Sequence, residues 1–292
     1  MVDHVDLQIP AGGVTGLVGP NGAGKTTIMA MLLGLVRPTD GTGRVLGHDL
    51  GDPTAYLHRV GALIEGPAFF PGLSGRQSLE HLALLGGHDP ARIPGVLELV
   101  GLDGREGDAF RSYSLGMKQR LGIAASLLGD PDLVILDEPT NGVDPAGMRD
   151  IRAMIRRIAS EGRSVLVSSH LLAELEAVCD HLVVINRGGL QYEGDLASLP
   201  TAAGGSLSLR TLRAADAPRL VELLRNQGLE AAVDAGDIPT LRVDLGGLAG
   251  AQLAADLNDR AHAAGITLSE LHENHDSLED RVLALVGEGV RS

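Results

Sequence analysis

Residues Gly19-Pro20-Asn21-Gly22-Ala23-Gly24-Lys25-Thr26, with Thr27 behind them, have the composition of a loop that wraps a phosphate chain. Glycines let successive backbone N–H groups turn inward around phosphate oxygens, and a helix starting directly after the loop adds partial positive charge. In this pattern Lys25 reaches the β and γ phosphates and the Thr26 hydroxyl ligates magnesium. The chain has only two lysines, Lys25 and Lys118, and one of them stands at the loop position. These residues predict a nucleotide-binding protein.

A second group follows the apolar run Leu133-Val134-Ile135-Leu136, which delivers Asp137-Glu138 at its end. Asp137 is expected to hold magnesium, directly or through water, and Glu138 to polarise the attacking water. Four apolar residues and two acids form a common sequence when taken alone. In an open parallel sheet, however, ligands bind outside the carboxyl ends of the strands. The phosphate loop, Asp137-Glu138 and Ser169-His170 each follow a predicted strand, so all three are expected in one crevice, with His170 against the γ-phosphate and its water.

The elements that must position these groups are legible in outline. Strands are predicted over Val5–Ile9, Val14–Val18 and Arg44–Leu46, with a helix from Thr26 to about Val36. From about Gly66 to Leu128 the pattern is helical. Ser74 with Gln77 is a capping-box pair opening Leu79–Leu85, a second helix covers Gly95–Val100, and a third covers Ser114 to about Leu128. The unbroken apolar run at 133–136 reads as a strand buried on both faces. Asp144-Pro145 is an N-cap with proline at the first helical position, opening a helix to about Ala159. Strand Ser164–Ser168, helix Leu171–Cys179 and strand Leu182–Ile185 follow, closed by a turn at Asn186–Gly189. A boundary is predicted near Leu199–Ser206. Beyond it the order is strand 206–212, helix 216–227, strands 229–234 and 238–244, helix 250–264, strand 266–272 and a closing helix 277–286 begun by Ser277 and Asp280. That order suggests a small ferredoxin-like α+β module.

Bulk composition bounds the rest. The 292 residues accommodate one large α/β domain over 1–200, with a helical part at about 66–128, and an accessory domain over 206–292. Hydrophobic content of 44% supports a core, filled mostly by Leu, Val, Ile and Ala because aromatics are only 2%. A formal charge of −14 argues against a nucleic-acid partner. The single cysteine, Cys179, excludes an intramolecular disulfide, fits a reducing cytosol and reads as an inert core or half-buried position. With no stretch resembling a membrane span and no signal-like N-terminus, a soluble cytoplasmic chain is expected, whose membrane role comes through a protein partner. His272, Glu273 and His275 share one short segment without a further ligand and read as solvated side chains.

Between the two groups lies Tyr113-Ser114-Leu115-Gly116-Met117-Lys118-Gln119-Arg120, whose helix start offers a second anion-binding terminus. Gly19–Thr27, Tyr113–Arg120, Leu133–Thr140, Asn141-Gly142-Val143-Asp144 and His170 together resemble the ATP-binding subunits of ABC transporters. In order they are similar to that family's Walker A, signature, Walker B, D-loop and switch histidine, over roughly residues 1–200. The signature wording, Gly61-Ala62-Leu63-Ile64-Glu65 and the tail Ser277-Leu278-Glu279-Asp280 are similar to the bacitracin and drug-resistance type of exporter ATPase. The resemblance implies a P-loop ATPase of ABC type working with ATP and Mg2+ as a head-to-tail homodimer on two membrane permease subunits, peripheral on the inner face of a bacterial membrane. It further implies that Ser114 and Gly116 of one subunit complete the ATP site of the other and that Asp144 communicates between them. Export of a drug, antibiotic peptide or lipid-like substrate is the implied function, and the accessory domain has an implied regulatory or dimer-supporting role.

Two features depart from the pattern, and one aromatic pair leaves two placements open. Glu65 stands where most relatives have glutamine; a magnesium-side role and a solvent-facing carboxylate are the alternatives. Relatives begin earlier, with a first strand and an aromatic residue stacked on adenine. Such stacking is worth about 1–3 kcal/mol, so the expectation is either a start codon assigned late or loose ATP binding, the latter allowing a nucleotide-regulated binding protein with little hydrolysis. Phe69 and Phe70 are expected either to line the groove that receives the permease or to plug the base of the helical part. A DNA-repair or ribosome-associated ATPase is excluded by the absence of long coiled-coil arms or a second cassette.

Overall fold

The computed structural model describes residues 2–199, 206–234, 239–245, 250–274, 278, 281 and 282. The chain divides into two compact units, Met1–Ser198 and Leu199–Ser292. The first unit runs β1 (Gly13–Val18), α1 (Lys25–Leu32), β2 (Arg44–Val45), β3 (His48–Asp49), β4 (Val60–Leu63), α2 (Gly75–Gly86), α3 (Ile93–Leu99), α4 (Leu115–Ser126), β5 (Leu133–Leu136), α5 (Pro145–Ser160), β6 (Ser164–Ser169), α6 (Leu172–Glu176), β7 (His181–Asn186) and β8 (Gly189–Asp195).

Six of these strands form one sheet in the order β4-β5-β6-β1-β7-β8. Neighbours are parallel except the β7–β8 pair, which is antiparallel. All four residues of β5 are buried, as expected of a parallel strand covered on both faces. Leu17, Ile28, Met29, Tyr56, Ile135, Leu166 and Ile185 make one cluster on the α1 side of the sheet. Each such side chain stabilises the fold by about 1.5–3 kcal/mol on burial.

Helix starts follow local chemistry. Ser74 Oγ accepts from Gln77 N at 3.2 Å, and Gln77 Oε1 accepts from Ser74 N at 2.9 Å, completing the capping box of α2. Asp144 caps α5 by accepting from Gly147 N at 3.0 Å, and Ile151, Met154, Ile155 and Ile158 form its buried stripe. The three helices α2, α3 and α4 pack on one another. Arg92, just before α3, bonds Asp130, which also accepts from Arg163 at 2.8 Å. Hydrogen bonds from Arg163 and Arg92 hold the Asp130 carboxyl below the usual carboxylate range.

Several sequence expectations are corrected. Val5, Leu7 and Ile9 do alternate toward the core, but Val5–Ile9 forms no strand ladder. The helix expected to Val36 ends at Leu32, beyond which Gly34 takes a left-handed φ of 67° and Leu35 and Val36 are exposed. Helix α6 stops at Glu176 rather than Cys179. Two strands of the six-stranded sheet, β4 and β8, were not expected, nor was β3, which pairs with β2.

The second unit runs β9 (Ser206–Thr211), α7 (Ala217–Arg225), β10 (Ala231–Asp234), β11 (Thr240–Asp244), α8 (Gly250–Ala263) and β12 (Leu268–Asn274). Its sheet has the order β10-β11-β9-β12 with every pair antiparallel. Counted within the unit this is 2-3-1-4, the ferredoxin-like arrangement. Leu207, Leu209, Leu220, Leu224, Leu241 and Leu257 are among its core residues. The closing helix expected over 277–286, with Ser277 and Asp280, lies outside the described residues apart from Leu278, Arg281 and Val282; His275 also lies outside them.

Candidate functional site

The loop after β1 is held tightly from below. A Cβ added at Gly19 would lie 2.2 Å from the Ile185 carbonyl oxygen, so only glycine lets the chain leave β1 across the end of β7. Ala23 N donates to Pro20 O at 3.0 Å, and Gly188 N donates to Ala23 O at 3.0 Å, pinning the loop to the β7–β8 turn. Lys25 is buried, and its Nζ donates to Gly19 O at 2.7 Å, with Pro20 O at 3.5 Å. No side chain caps α1, so its first-turn N–H groups remain available to an anion.

Strand β5 delivers Asp137 beside this loop. Asp137 N donates to Leu63 O at 2.8 Å, extending the β4–β5 register past the strand ends. The Thr26 hydroxyl donates to Asp137 Oδ2 at 3.0 Å, and the Ser168 hydroxyl donates to Asp137 Oδ1 at 2.5 Å. Glu138 lies between the loop and the end of β6. Its Oε1 is 4.0 Å from Lys25 Nζ, its Oε2 is 2.6 Å from His170 Nδ1, and the same Oε2 accepts from His170 N at 3.3 Å. Glu138 has a left-handed φ of 48°, a conformation that costs a non-glycine residue about 1–3 kcal/mol and persists only where surrounding bonds enforce it. Glu138 N donates to Ser168 Oγ at 2.9 Å, and Glu138 O accepts from Asn141 N at 3.1 Å.

Lys25, Thr26, Asp137, Glu138 and His170 are therefore assembled at the carboxyl ends of three neighbouring strands, β5, β6 and β1. Ser168 belongs to the same assembly and was missed, read only as the end of a strand. The available signal was a pair of hydroxyls, Ser168 and Ser169, ending the apolar run Val165-Leu166-Val167; buried polar groups need partners. Both serines are buried.

Other expected residues stand apart from this cluster. Ser114 is the exposed N-cap of α4, its hydroxyl accepting from Met117 N at 3.3 Å. Leu115 and Gly116 pack on the 142–143 turn: an added Cβ at Gly116 would lie 3.3 Å from Val143 Cγ1, and one at Gly142 would lie 2.9 Å from Leu115 Cδ2. No hydrogen bond joins Ser114, Gly116 or Asp144 to the 19–27 loop among the described residues. Glu65 follows β4 at the same end of the sheet, with φ 58°, exposed and without a hydrogen bond or ion pair among the described residues. The two phenylalanines part company. Phe69 packs edge-on against Phe110 with ring centroids 5.2 Å apart, whereas Phe70 is 67% exposed. Phe110 also receives Lys118 Nζ over its ring at 5.3 Å.

The donor set suits magnesium. Thr26 and Asp137 supply hard oxygens, and magnesium characteristically takes one or two carboxylates together with substrate phosphates rather than an all-protein cage. Among the described residues there is no group of three or more His, Cys, Asp or Glu able to hold a metal.

Comparison with known proteins adds an independent line. The ABC transporter family model matches residues 2–141. The bacitracin transport ATP-binding protein BcrA of Enterococcus faecalis is 35% identical over 293 aligned residues, covering 99% of this chain and 92% of that protein. BcrA of Bacillus licheniformis is 42% identical over 195 residues, covering 66% of this chain and 64% of its own length. A solved ATP-binding subunit of an ABC transporter superposes with a TM-score of 0.60 at 25% identity, covering 88% of this chain and 92% of that one.

Proposed function

This chain belongs to the ABC transporter family of ATP-binding proteins, and we propose that it hydrolyses ATP to energise export through a separate membrane permease. The substrate class is an antibiotic peptide, drug or lipid-like molecule, by likeness to relatives named for bacitracin transport. The observation that carries the reading is the contact of one carboxylate, Glu138, with both Lys25 and His170 at the end of β5.

In this reading the loop 19–27 and the start of α1 bind the triphosphate through backbone N–H groups, and Lys25 moves from Gly19 O to the β and γ phosphates. Thr26 and Asp137, with Glu65 as a further candidate, would hold magnesium, which when bound would neutralise charge on the phosphates. Glu138 accepts a proton from water as the water oxygen attacks the γ-phosphorus and the bond to the β-phosphate oxygen breaks, leaving ADP and phosphate. His170 holds Glu138 in place and lies within reach of the γ-phosphate. Most of the catalysis is positioning and charge stabilisation.

Ser114, Gly116 and Asp144 act in trans in a head-to-tail dimer, which accounts for their separation from Lys25 within one chain. No helix among the described residues is long and apolar enough to cross a membrane, so the reading assigns membrane association to the permease. Exposed Phe70, with exposed Leu84 and Leu85 on α2, is the apolar surface offered to it. The alternative of a nucleotide-regulated binder with little hydrolysis is not favoured, because such a protein has no use for the Glu138–His170 pair.

Phosphate release from purified protein tests the reading. Glu138→Gln should lower the turnover about 10²–10⁴-fold, while ATP binding persists and light scattering reports an ATP-dependent dimer. Unchanged phosphate release in this variant would overturn the assignment of the base.

A further inference from the structure

We infer that Ser168 is a positioning residue that sets the metal-binding carboxylate and the general base through one hydroxyl. The inference rests on the roles proposed above for Asp137 and Glu138. Ser168 is the second-last residue of β6 and has no exposed surface. In a strand buried on both faces an apolar side chain would need no hydrogen-bond partner, so the hydroxyl at this position requires an account.

Its bonding directions are fixed by chemistry. A backbone N–H can only donate, so the 2.9 Å contact with Glu138 N uses a lone pair of Ser168 Oγ. The single hydroxyl proton is then free for Asp137 Oδ1, at 2.5 Å, a distance typical of a hydroxyl donating to a carboxylate. Thr26 takes the other carboxylate oxygen at 3.0 Å. The Asp137 carboxylate plane is thus held from two sides, by the phosphate loop and by β6. The same Ser168 oxygen anchors the backbone of Glu138 at a left-handed φ of 48°, which aims the Glu138 side chain at Lys25 and His170. Neither Thr26 nor His170 makes both connections.

Two consequences separate this role from ordinary packing. Through Asp137, loss of the hydroxyl should weaken metal binding; through Glu138, it should lower turnover. Groups that orient metal ligands typically affect metal affinity or activity by about 10–100-fold.

The test compares Ser168→Ala, Ser168→Thr and Ser168→Val in the full chain, each checked for folding by thermal melts. Thr and Val have nearly the same shape and differ in the hydroxyl, so their comparison cancels the effect of an added methyl. Manganese is titrated into the ADP complex and read by electron paramagnetic resonance, ADP affinity is measured in EDTA, and kcat is measured with magnesium and ATP. We expect Ala and Val to weaken manganese binding about 10–100-fold and to lower kcat by a similar factor, with metal-free ADP affinity unchanged and Thr recovering both losses relative to Val. Equal manganese affinity and kcat in Thr and Val would overturn the inference, as would an Ala variant that melts lower but binds manganese normally. If the unsubstituted protein releases no phosphate, the proposed hydrolysis falls, while the manganese comparison still decides the role of Ser168.

Discussion

Replacing Gly19 by alanine tests whether the phosphate loop is placed by backbone contact or by its own sequence. The added Cβ would stand 2.2 Å from Ile185 O and 3.0 Å from Ala23 Cβ. Since real Cβ contacts essentially never fall below 3.0 Å, the backbones must separate by at least 3.0 − 2.2 = 0.8 Å. Ile185 is fully buried and paired within the sheet, so the loop is the part that gives way. Overpacking of this kind costs about 1–3 kcal/mol, a lowering of the melting temperature by roughly 2–12 °C for a unit of this size. The larger effect is functional. Moving Gly19 O disturbs the 2.7 Å bond that aims Lys25, and a misplacement of about 1 Å in a phosphate-positioning loop can cost on the order of 10²-fold in rate. Gly22→Ala is the comparison: it lies in the same loop with φ 81°, but its added Cβ meets nothing within 4 Å, so it suffers backbone strain alone. Melting curves, fluorescent-nucleotide titration and phosphate release on both variants decide the matter. If Gly19→Ala binds ATP and turns over as the unsubstituted protein does, the loop is not seated on β7 in the way argued.

Cys179 and the Phe69-Phe70 pair, elsewhere in the first unit, can be tested as well. Burial, more than the opposing effect of Arg156 or the added effect of Asp180, pushes the Cys179 thiol up to about 12. Its stabilising contribution is therefore fully present below the unfolded value near 9 and is lost as pH rises toward 12. Iodoacetamide at pH 8.5 should label native protein about 10³-fold more slowly than urea-unfolded protein, from thiolate fraction alone; rapid native labelling would contradict the buried position. Phe69→Ala should destabilise the fold, since its edge-on pair with Phe110 adds about 0.5–1.5 kcal/mol beyond area burial. Phe70→Ala should change the melt by no more than about 0.5 kcal/mol yet weaken co-purification with the permease. The reverse pattern would remove Phe70 from the proposed docking surface.

Much of the site was legible because its determinants are local. A glycine loop followed by a helix start, an apolar run ending in two acids, and an N-cap before proline each bring their own physics within a few residues. Their order along the chain was enough to point to the family, and the strand-end rule was enough to expect Lys25, Asp137, Glu138 and His170 in one crevice. The βαββαβ order of the second unit was likewise readable from alternating element types.

What tertiary structure decided depends on partners distant in sequence. Val60–Leu63 contains Gly61 and Ala62, poor strand formers, and becomes β4 only by pairing with β5, about seventy residues later. Val5–Ile9 has the alternation of a strand, yet its apolar side chains reach the core without a ladder. Phe69 and Phe70 are identical in type and adjacent, but Phe110 lies beside only one of them. Ser168 carries only a faint local signal, a hydroxyl closing an apolar run, and nothing within that run names its partners. It acquires its place because the β5–β6 pairing sets its hydroxyl against Asp137 and the Glu138 N–H, and which strand lies beside which is set by packing across the whole sheet.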